Sequence, residues 1–454
     1  MNKLLSLACV ALLSGCSFIP EYFRPAAPVP EQWPVKVGAG GTAASADWRA
    51  YFADASLQTA IAAALEHNRD LRVAVARVDE ARALAGIARA DRFPGVDVTF
   101  QQQAAKVPGT LSSSGRETIT RRYDANLGVA AFELDFWGRV SSLDAAARAN
   151  FLASEYAHAA FRLSLIADVA AAWYKLRELA ERLALAEATA RSREESRRLI
   201  EKRRDVGLAG DLDYYAADGA WAAARAEAAS LARQRAAAEN ALRLLVGDAL
   251  AAVPPAPTFA PPLEIAVGLP SDVLLRRPDV LAAEQKLLAA NANIGAARAA
   301  FFPKIALTVL AGSASPALSG LFGGGSGAWS FVPVLKWPLF DAGRAEANVD
   351  LAEARKHVAV AEYERTIQQA FREVADLLAA RAHYAEQAAA LEVAVAAQTE
   401  RLRRVEARHE GGVSSYLELL DAQREHFAAR QSLLAARGAQ ATTAANLFKA
   451  LGGT

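Results

Sequence analysis

Gly86-Ile-Ala-Arg-Ala-Asp-Arg-Phe-Pro94 returns 209 positions later as Gly295-Ala-Ala-Arg-Ala-Ala-Phe-Phe-Pro303. Working outward, Gly138-Arg139 answers Gly343-Arg344, Gly207 answers Gly412 and Gly247 answers Gly452, each pair 205 positions apart. The offset changes by four between the prolines and the Gly-Arg pairs, so an insertion sits in a loop there. Inside each copy lies a run with neither Gly nor Pro, 139–206 and 344–410. A duplicated unit built on such a run constrains the architecture before any short motif is consulted.

Bulk composition removes several classes of function. In 454 residues, 51 Lys and Arg stand against 50 Asp and Glu for a net charge of +1, which offers no footprint for nucleic acid. The six histidines are scattered and no pair has metal-ligand spacing. The two cysteines, Cys9 and Cys16, both fall at the start, so no disulfide framework or zinc site follows from them. The Gly320–Gly327 stretch lacks the Gly-Lys-Ser/Thr ending of a phosphate loop, and Ser326 has no Gly-x-Ser-x-Gly frame. No catalytic residue, metal or cofactor is expected.

The first residues read as an export signal. Lys3 supplies the positive start and Leu4 to Leu13 an apolar stretch too short to span a bilayer. Leu13-Ser14-Gly15-Cys16 matches a lipobox, which predicts cleavage before Cys16 and a diacylglycerol plus an N-acyl chain on that residue. Nowhere else does an apolar run reach the ~20 residues that a spanning helix needs. Any bilayer-spanning role falls to strands.

Strand signatures follow each Phe-Pro pair. Val96, Val98 and Phe100 alternate with Asp97, Thr99 and Gln101, and Ile305, Leu307 and Val309 with Lys304, Ala306 and Thr308. A second alternating run follows in each copy, around Tyr123–Val129 and Trp329–Leu339. The expected organisation is a signal peptide at 1–15, an acylated arm at 16–56, and a first repeat at 57–247 with strands at about 95–106 and 122–135. A Pro-rich linker at 248–270 and a second repeat at 271–454 follow, with strands at about 304–313 and 328–340. Helical texture is expected from Leu57 to Phe93. The long runs, roughly 68 residues at 1.5 Å each, predict helices of ~100 Å.

Pro94, Gly138, Pro303 and Gly343 mark strand–helix junctions. Phe93, Trp137, Phe301, Phe302 and Trp337 stand at those junctions, where a membrane-interface girdle of aromatics belongs. Four strands cannot close a barrel, and lipid tolerates no open edge. Two chains would give eight strands and three would give twelve; periodicity does not choose between them.

Several motifs together carry a family resemblance: the lipobox, the duplicated halves, Phe132-Glu-Leu-Asp-Phe-Trp-Gly-Arg139, Gly268-Leu-Pro-Ser-Asp-Val-Leu-Leu-Arg-Arg-Pro-Asp279, Ala289 through Pro303, and Tyr416-Leu-Glu-Leu-Leu-Asp-Ala-Gln-Arg424. The chain resembles the outer-membrane factor family, in particular its OprM-type multidrug efflux lipoproteins, with the TolC type more distant. The resemblance implies an α+β membrane protein, a homotrimer with one twelve-stranded barrel and a periplasmic α-helical barrel. It further implies docking to a periplasmic adaptor and an inner-membrane pump of the resistance-nodulation-division type. It identifies Leu417 and Asp421 with the narrowest ring of a periplasmic gate, Arg424 with a partner one turn on, and Glu418 with a second acidic position. The competing reading is a lipid-anchored periplasmic coiled-coil scaffold or adaptor without a pore, its hairpins packed as soluble sheets.

Overall fold

The computed structural model describes residues 17–34, 47–113, 115–247 and 271–453. The signal peptide, the expected acylation site Cys16 and the linker at 248–270 lie outside these residues. Three helices, α1 (Trp48–Tyr51), α2 (Ala55–His67) and α3 (Arg69–Ala90), lead into β1 (Asp97–Val107) and β2 (Thr118–Leu134). A long helix α4 (Arg139–Asp205) and its return α5 (Asp211–Val246) complete the first repeat. The second repeat has α6 (Pro278–Ala299), β3 (Lys304–Ser315), β4 (Gly327–Lys336), α7 (Arg344–Glu410) and α8 (Tyr416–Ala450).

The duplication is visible in the element bounds. Both ends of α3 recur 209 positions later as the ends of α6, and both ends of α4 recur 205 positions later as the ends of α7. Each long helix has 67 residues, and no described helix is long and apolar enough to cross a membrane. Both end in the same cap. Leu208 N–H donates to Arg203 O at 2.7 Å and Val413 N–H to Arg408 O at 2.8 Å, with Gly207 and Gly412 at φ 76° and 74°. A glycine in the left-handed region satisfies the last carbonyls and stops the helix.

Sequence expectation and structure part at a few bounds. The first helical stretch is interrupted at Asn68, whose side chain accepts from Leu71 N–H at 2.9 Å and so caps a new helix. It ends at Ala90, and 91–93 form a turn before Pro94. The fourth strand stops at Lys336 rather than about 340, because Pro338 has no N–H to continue a ladder. The second strand starts earlier than expected, at Thr118, where Thr-Ile-Thr pairs back to Val107.

Compactness does not follow the repeats. Of the described residues, one unit takes 17–26, 77–155 and 282–364, and the other takes 27–34, 47–76, 156–247, 271–281 and 365–453. The first unit holds an antiparallel sheet of order β1-β2-β3-β4. Its register puts Val98, Phe100, Leu127, Val129, Val309, Ala311, Phe331 and Trp329 on one face. Asp97, Thr99, Gln101, Asn126, Thr308 and Lys336 share the other. Every β1 residue from Asp97 to Lys106 is exposed, so neither face of that strand is covered within the chain. The second unit has an ordinary core of Trp48, Tyr51, Phe52, Ile61, Trp173 and Phe448, with Tyr51 stacked on Phe448 at 4.9 Å. Asp54 caps α2 through Ser56 and Leu57 N–H and accepts from Arg177 at 3.0 Å, joining that cap to α4.

Candidate functional site

Two groups of residues merit attention, one in each unit. At the base of the sheet, strand passes to helix through an aspartate. Asp135 accepts from Val140 and Ser141 N–H at 3.0 and 2.7 Å, and Asp341 from Gly343 and Ala345 N–H at 3.1 and 2.8 Å. Gly138 and Gly343, at φ 68° and 84°, make the turns between strand and helix. Arg139 clasps Glu133 with two 2.7 Å bonds, and Lys304 reaches the same carboxylate at 2.6 Å.

The aromatic residues at these junctions are packed as well as exposed. Phe302 lies between Phe18 and Trp137, with centroids at 4.7 and 4.8 Å. The Trp137 indole donates to Pro303 O at 2.8 Å, and that of Trp337 to Phe301 O at 3.1 Å. Phe93 stands apart, exposed and without a ring stack among the described residues.

The arm that follows Cys16 is docked on α6. Arg24 Nε donates to Glu284 Oε1 at 2.8 Å, its Nη2 contacts the other carboxylate oxygen, and Tyr22 donates to Glu284 at 3.2 Å. Asn291 donates to Pro20 O at 2.8 Å. Gly295 gives Ile19 its place: a Cβ on it would meet Ile19 N at 2.8 Å.

The second group lies where α7 turns into α8. Ser415 caps α8 by accepting from Glu418 N–H at 3.2 Å, while the Ser414 hydroxyl donates to the Glu418 carboxylate. Glu418 therefore serves the cap. Asp421 is held from two sides, by Arg424 Nη2 on Oδ1 and Arg401 Nη2 on Oδ2, both at 2.6 Å. The Arg401 hydrogen bond, with the Arg424 charge beside it, keeps the Asp421 carboxyl below the usual aspartate range. Leu417, Glu418, Asp421 and Arg424 line one cleft of about 610 Å³, together with Arg193 and Ala220. Arg193 donates to Ala220 O at 3.0 Å, and burial lowers its pKa.

The structure thus brings all four sequence-predicted tip residues together, and Arg424 pairs with Asp421. Sequence reasoning missed Arg401, which lies 20 positions before its partner on another helix. It also missed Asp135 and Asp341, although an Asp shortly before a Gly-Arg helix start is a legible capping signal.

The family model of outer membrane efflux proteins matches residues 60–248 and 269–453, one stretch in each repeat. The chain is 44% identical over 467 residues to the probable efflux pump outer membrane protein TtgC of Pseudomonas putida, covering 100% of this chain and 96% of that one. A solved membrane protein from Pseudomonas aeruginosa superposes with a TM-score of 0.90 at 43% identity, over 96% of this chain and 100% of that one. The open state of the Neisseria gonorrhoeae MtrE outer membrane channel gives 0.85 at 36% identity, over 96% and 98%. With both repeats matched and the fold shared with solved channels along nearly its whole length, the chain belongs to the outer membrane efflux protein family and is an outer-membrane efflux channel.

Proposed function

We propose that three copies of this chain form the exit duct of a three-component efflux pump. An inner-membrane pump of the resistance-nodulation-division type and a periplasmic adaptor would deliver drugs or other small toxic compounds into it. The observation that carries this reading is the sheet, apolar on one face and polar on the other, with one free edge on β1 and one on β4. Hydrocarbon tolerates no unpaired strand edge, so copies must close on one another. Eight strands leave a bore that side chains fill, whereas twelve leave room for water and solute. Strands of 10 to 17 residues suffice for a tilted crossing.

In that setting the apolar face meets lipid, and Phe93, Trp137, Phe301, Phe302 and Trp337 form the interfacial girdle. Acylated Cys16 anchors the arm, which residues 18–24 strap to α6. The periplasmic gate is the Leu417, Glu418, Asp421 and Arg424 cluster. Three-fold symmetry gathers three Asp421 carboxylates, and their mutual repulsion is offset while Arg401 and Arg424 hold each one. No chemical step or cofactor is needed beyond the acyl chains, because a duct works by closing and opening.

Planar-bilayer recording of the detergent-extracted protein tests the duct. The expected result is unit conductance steps from a species that runs as a trimer unheated and as a monomer after boiling. A trimer that never conducts would return the pore-less scaffold.

A further inference from the structure

Within the chain, β2 hands over to β3, so the end of repeat one pairs with the start of repeat two, Phe132 opposite Leu307. The free edges of β4 and β1 stand in the same relation if they belong to neighbouring copies. The repeat offsets carry Phe132 to Trp337 and Leu307 to Val98. A bulge interrupts β2 between Val129 and Phe132, but β4 pairs with β3 without a shift. Stepping back along β4 from Trp337–Val98 therefore sets Lys336 against Thr99, Leu335 against Phe100 and Val334 against Gln101.

Two independent observations agree with that register. Leu335 and Phe100 already share the apolar face by their pairings inside the chain, and Lys336 and Thr99 the polar face. A slip of one residue would set Lys336 against Phe100. Asp97, two residues before Thr99, is then the diagonal neighbour of Lys336. Both are exposed, and neither has an ion-pair partner among the described residues. The internal seam carries the same diagonal with the signs exchanged: Glu133 faces Ala306 and pairs with Lys304, two residues before it.

Hydrogen bonding along β4 adds detail. Ala314 N–H donates to Ser326 O at 2.8 Å, so the polar-face pairs of the β3–β4 ladder are the bonded ones. Pro333, on the apolar face, thus turns its missing N–H to the open edge. Across that edge the bonding alternates, and Lys336–Thr99 becomes a non-hydrogen-bonded pair with Cα atoms about 4.5 Å apart.

We infer that the β4–β1 seam between copies sets Lys336 opposite Thr99, and that Lys336 and Asp97 of neighbouring copies form an ion pair on its polar face. This rests on the closure of copies proposed above. The only cysteines of the chain are Cys9 and Cys16, so engineered pairs in the sheet are free of background. Lys336→Cys with Thr99→Cys should yield a covalent trimer as the main species on a non-reducing gel of outer membranes, since that spacing suits a disulfide. Lys336→Cys with Phe100→Cys, on opposite faces, should not. Asp97→Lys should lower the temperature at which the trimer dissociates, and adding Lys336→Asp should restore it. Crosslinking of Lys336→Cys with Gln101→Cys in place of Thr99→Cys, or a charge swap without rescue, overturns the seam while closure stands. Wild-type protein that runs as a monomer unheated overturns closure itself.

Discussion

Gly86 and Gly295 hold the same place in the two repeats, yet only one of them is crowded inside the chain. A Cβ on Gly295 would lie 2.7 Å from Ile19 Cγ1, 2.8 Å from Ile19 N and 2.8 Å from Ser142 Oγ. The side-chain atoms can turn aside, but Ile19 N is backbone, so Gly295→Ala must push the arm outward by about 1 Å to restore van der Waals contact. The gain in helix propensity from Gly to Ala is the same with the arm docked or released, so it cancels from the docking equilibrium. What remains is an over-packing cost of about 1–3 kcal/mol. At 1.4 kcal/mol per tenfold, arm opening should rise roughly 5- to 150-fold. Chymotryptic cleavage after Tyr22, whose hydroxyl is held on Glu284 while the arm is docked, reads that opening in the purified channel. Gly86→Ala is the control, since nothing lies within 4 Å of its Cβ inside the chain and the arm should keep its protection. Unchanged cleavage in Gly295→Ala, or equal acceleration in both variants, would refute the close approach of Ile19 as the reason for this glycine.

Further outcomes follow from the other clusters. Asp421→Ala with Arg424→Ala should raise single-channel conductance, and Arg401→Ala should do so in part, because it removes one of two clasps; unchanged conductance in all variants would remove these residues from the gate. The Asp421 carboxyl is held below its ordinary range mainly by Arg401, so its charge, and the clasp, persist above that range and are lost only as pH falls through the depressed pKa. Wild-type conductance should therefore stay flat from about pH 7 to 5, while Arg401→Ala should begin to open at a higher pH than wild type, nearer the ordinary aspartate pKa of about 3.9. Arg277, buried between Asp279, Glu373 and Ala450 O, ties α6, α7 and the end of α8. Arg277→Ala should cost about 2 kcal/mol in a denaturant titration followed by helical circular dichroism, below the figure for a fully buried pair because both carboxylates are partly exposed. Asp135→Ala should cost about 1 kcal/mol as a lost helix cap, with Asp135→Asn recovering most of it.

How far the sequence could be read depended on how local the cause was. Gly207, Gly412 and the Phe-Pro pairs act on their own few residues, so the helix ends and strand starts they dictate were legible to within about three residues. The two-faced strands were legible because period-2 alternation is a local pattern. Asn68 was harder, since a polar residue inside a helical stretch reads equally as a surface position until its side chain is seen capping Leu71. Arm docking left no mark on the arm itself; its signal is the crowding at Gly295, visible only once Ile19 is in place. Arg401 was illegible for the same reason, as nothing near it in sequence tells which of many surface arginines meets Asp421. The compact units, which draw on both repeats, could not be read from a duplication whose two halves fold into each other.

The clasp on Asp421 is also a place where the duplication fails. Arg401, Asp421 and Arg424 have Ser196, Ala216 and Gly219 standing 205 positions earlier, so all three members are lost together in the first repeat. The turn between Arg401 and Asp421 is kept, with the same glycine and the same carbonyl bonds at Arg203 and Arg408. The turn is thus common to both copies while the charged pairs beside it differ: the first copy joins its two helices through Arg197 and Asp218 at 3.8 Å, one and two positions beyond the counterparts of Arg401 and Asp421. In the second copy three residues on two helices make the clasp, each arginine by its own bond to Asp421. Under the gate reading, a trimer then carries three clasps rather than six. Releasing them frees one hairpin per chain while the other keeps its position, so the tip opens by an asymmetric movement within each copy rather than by uniform dilation.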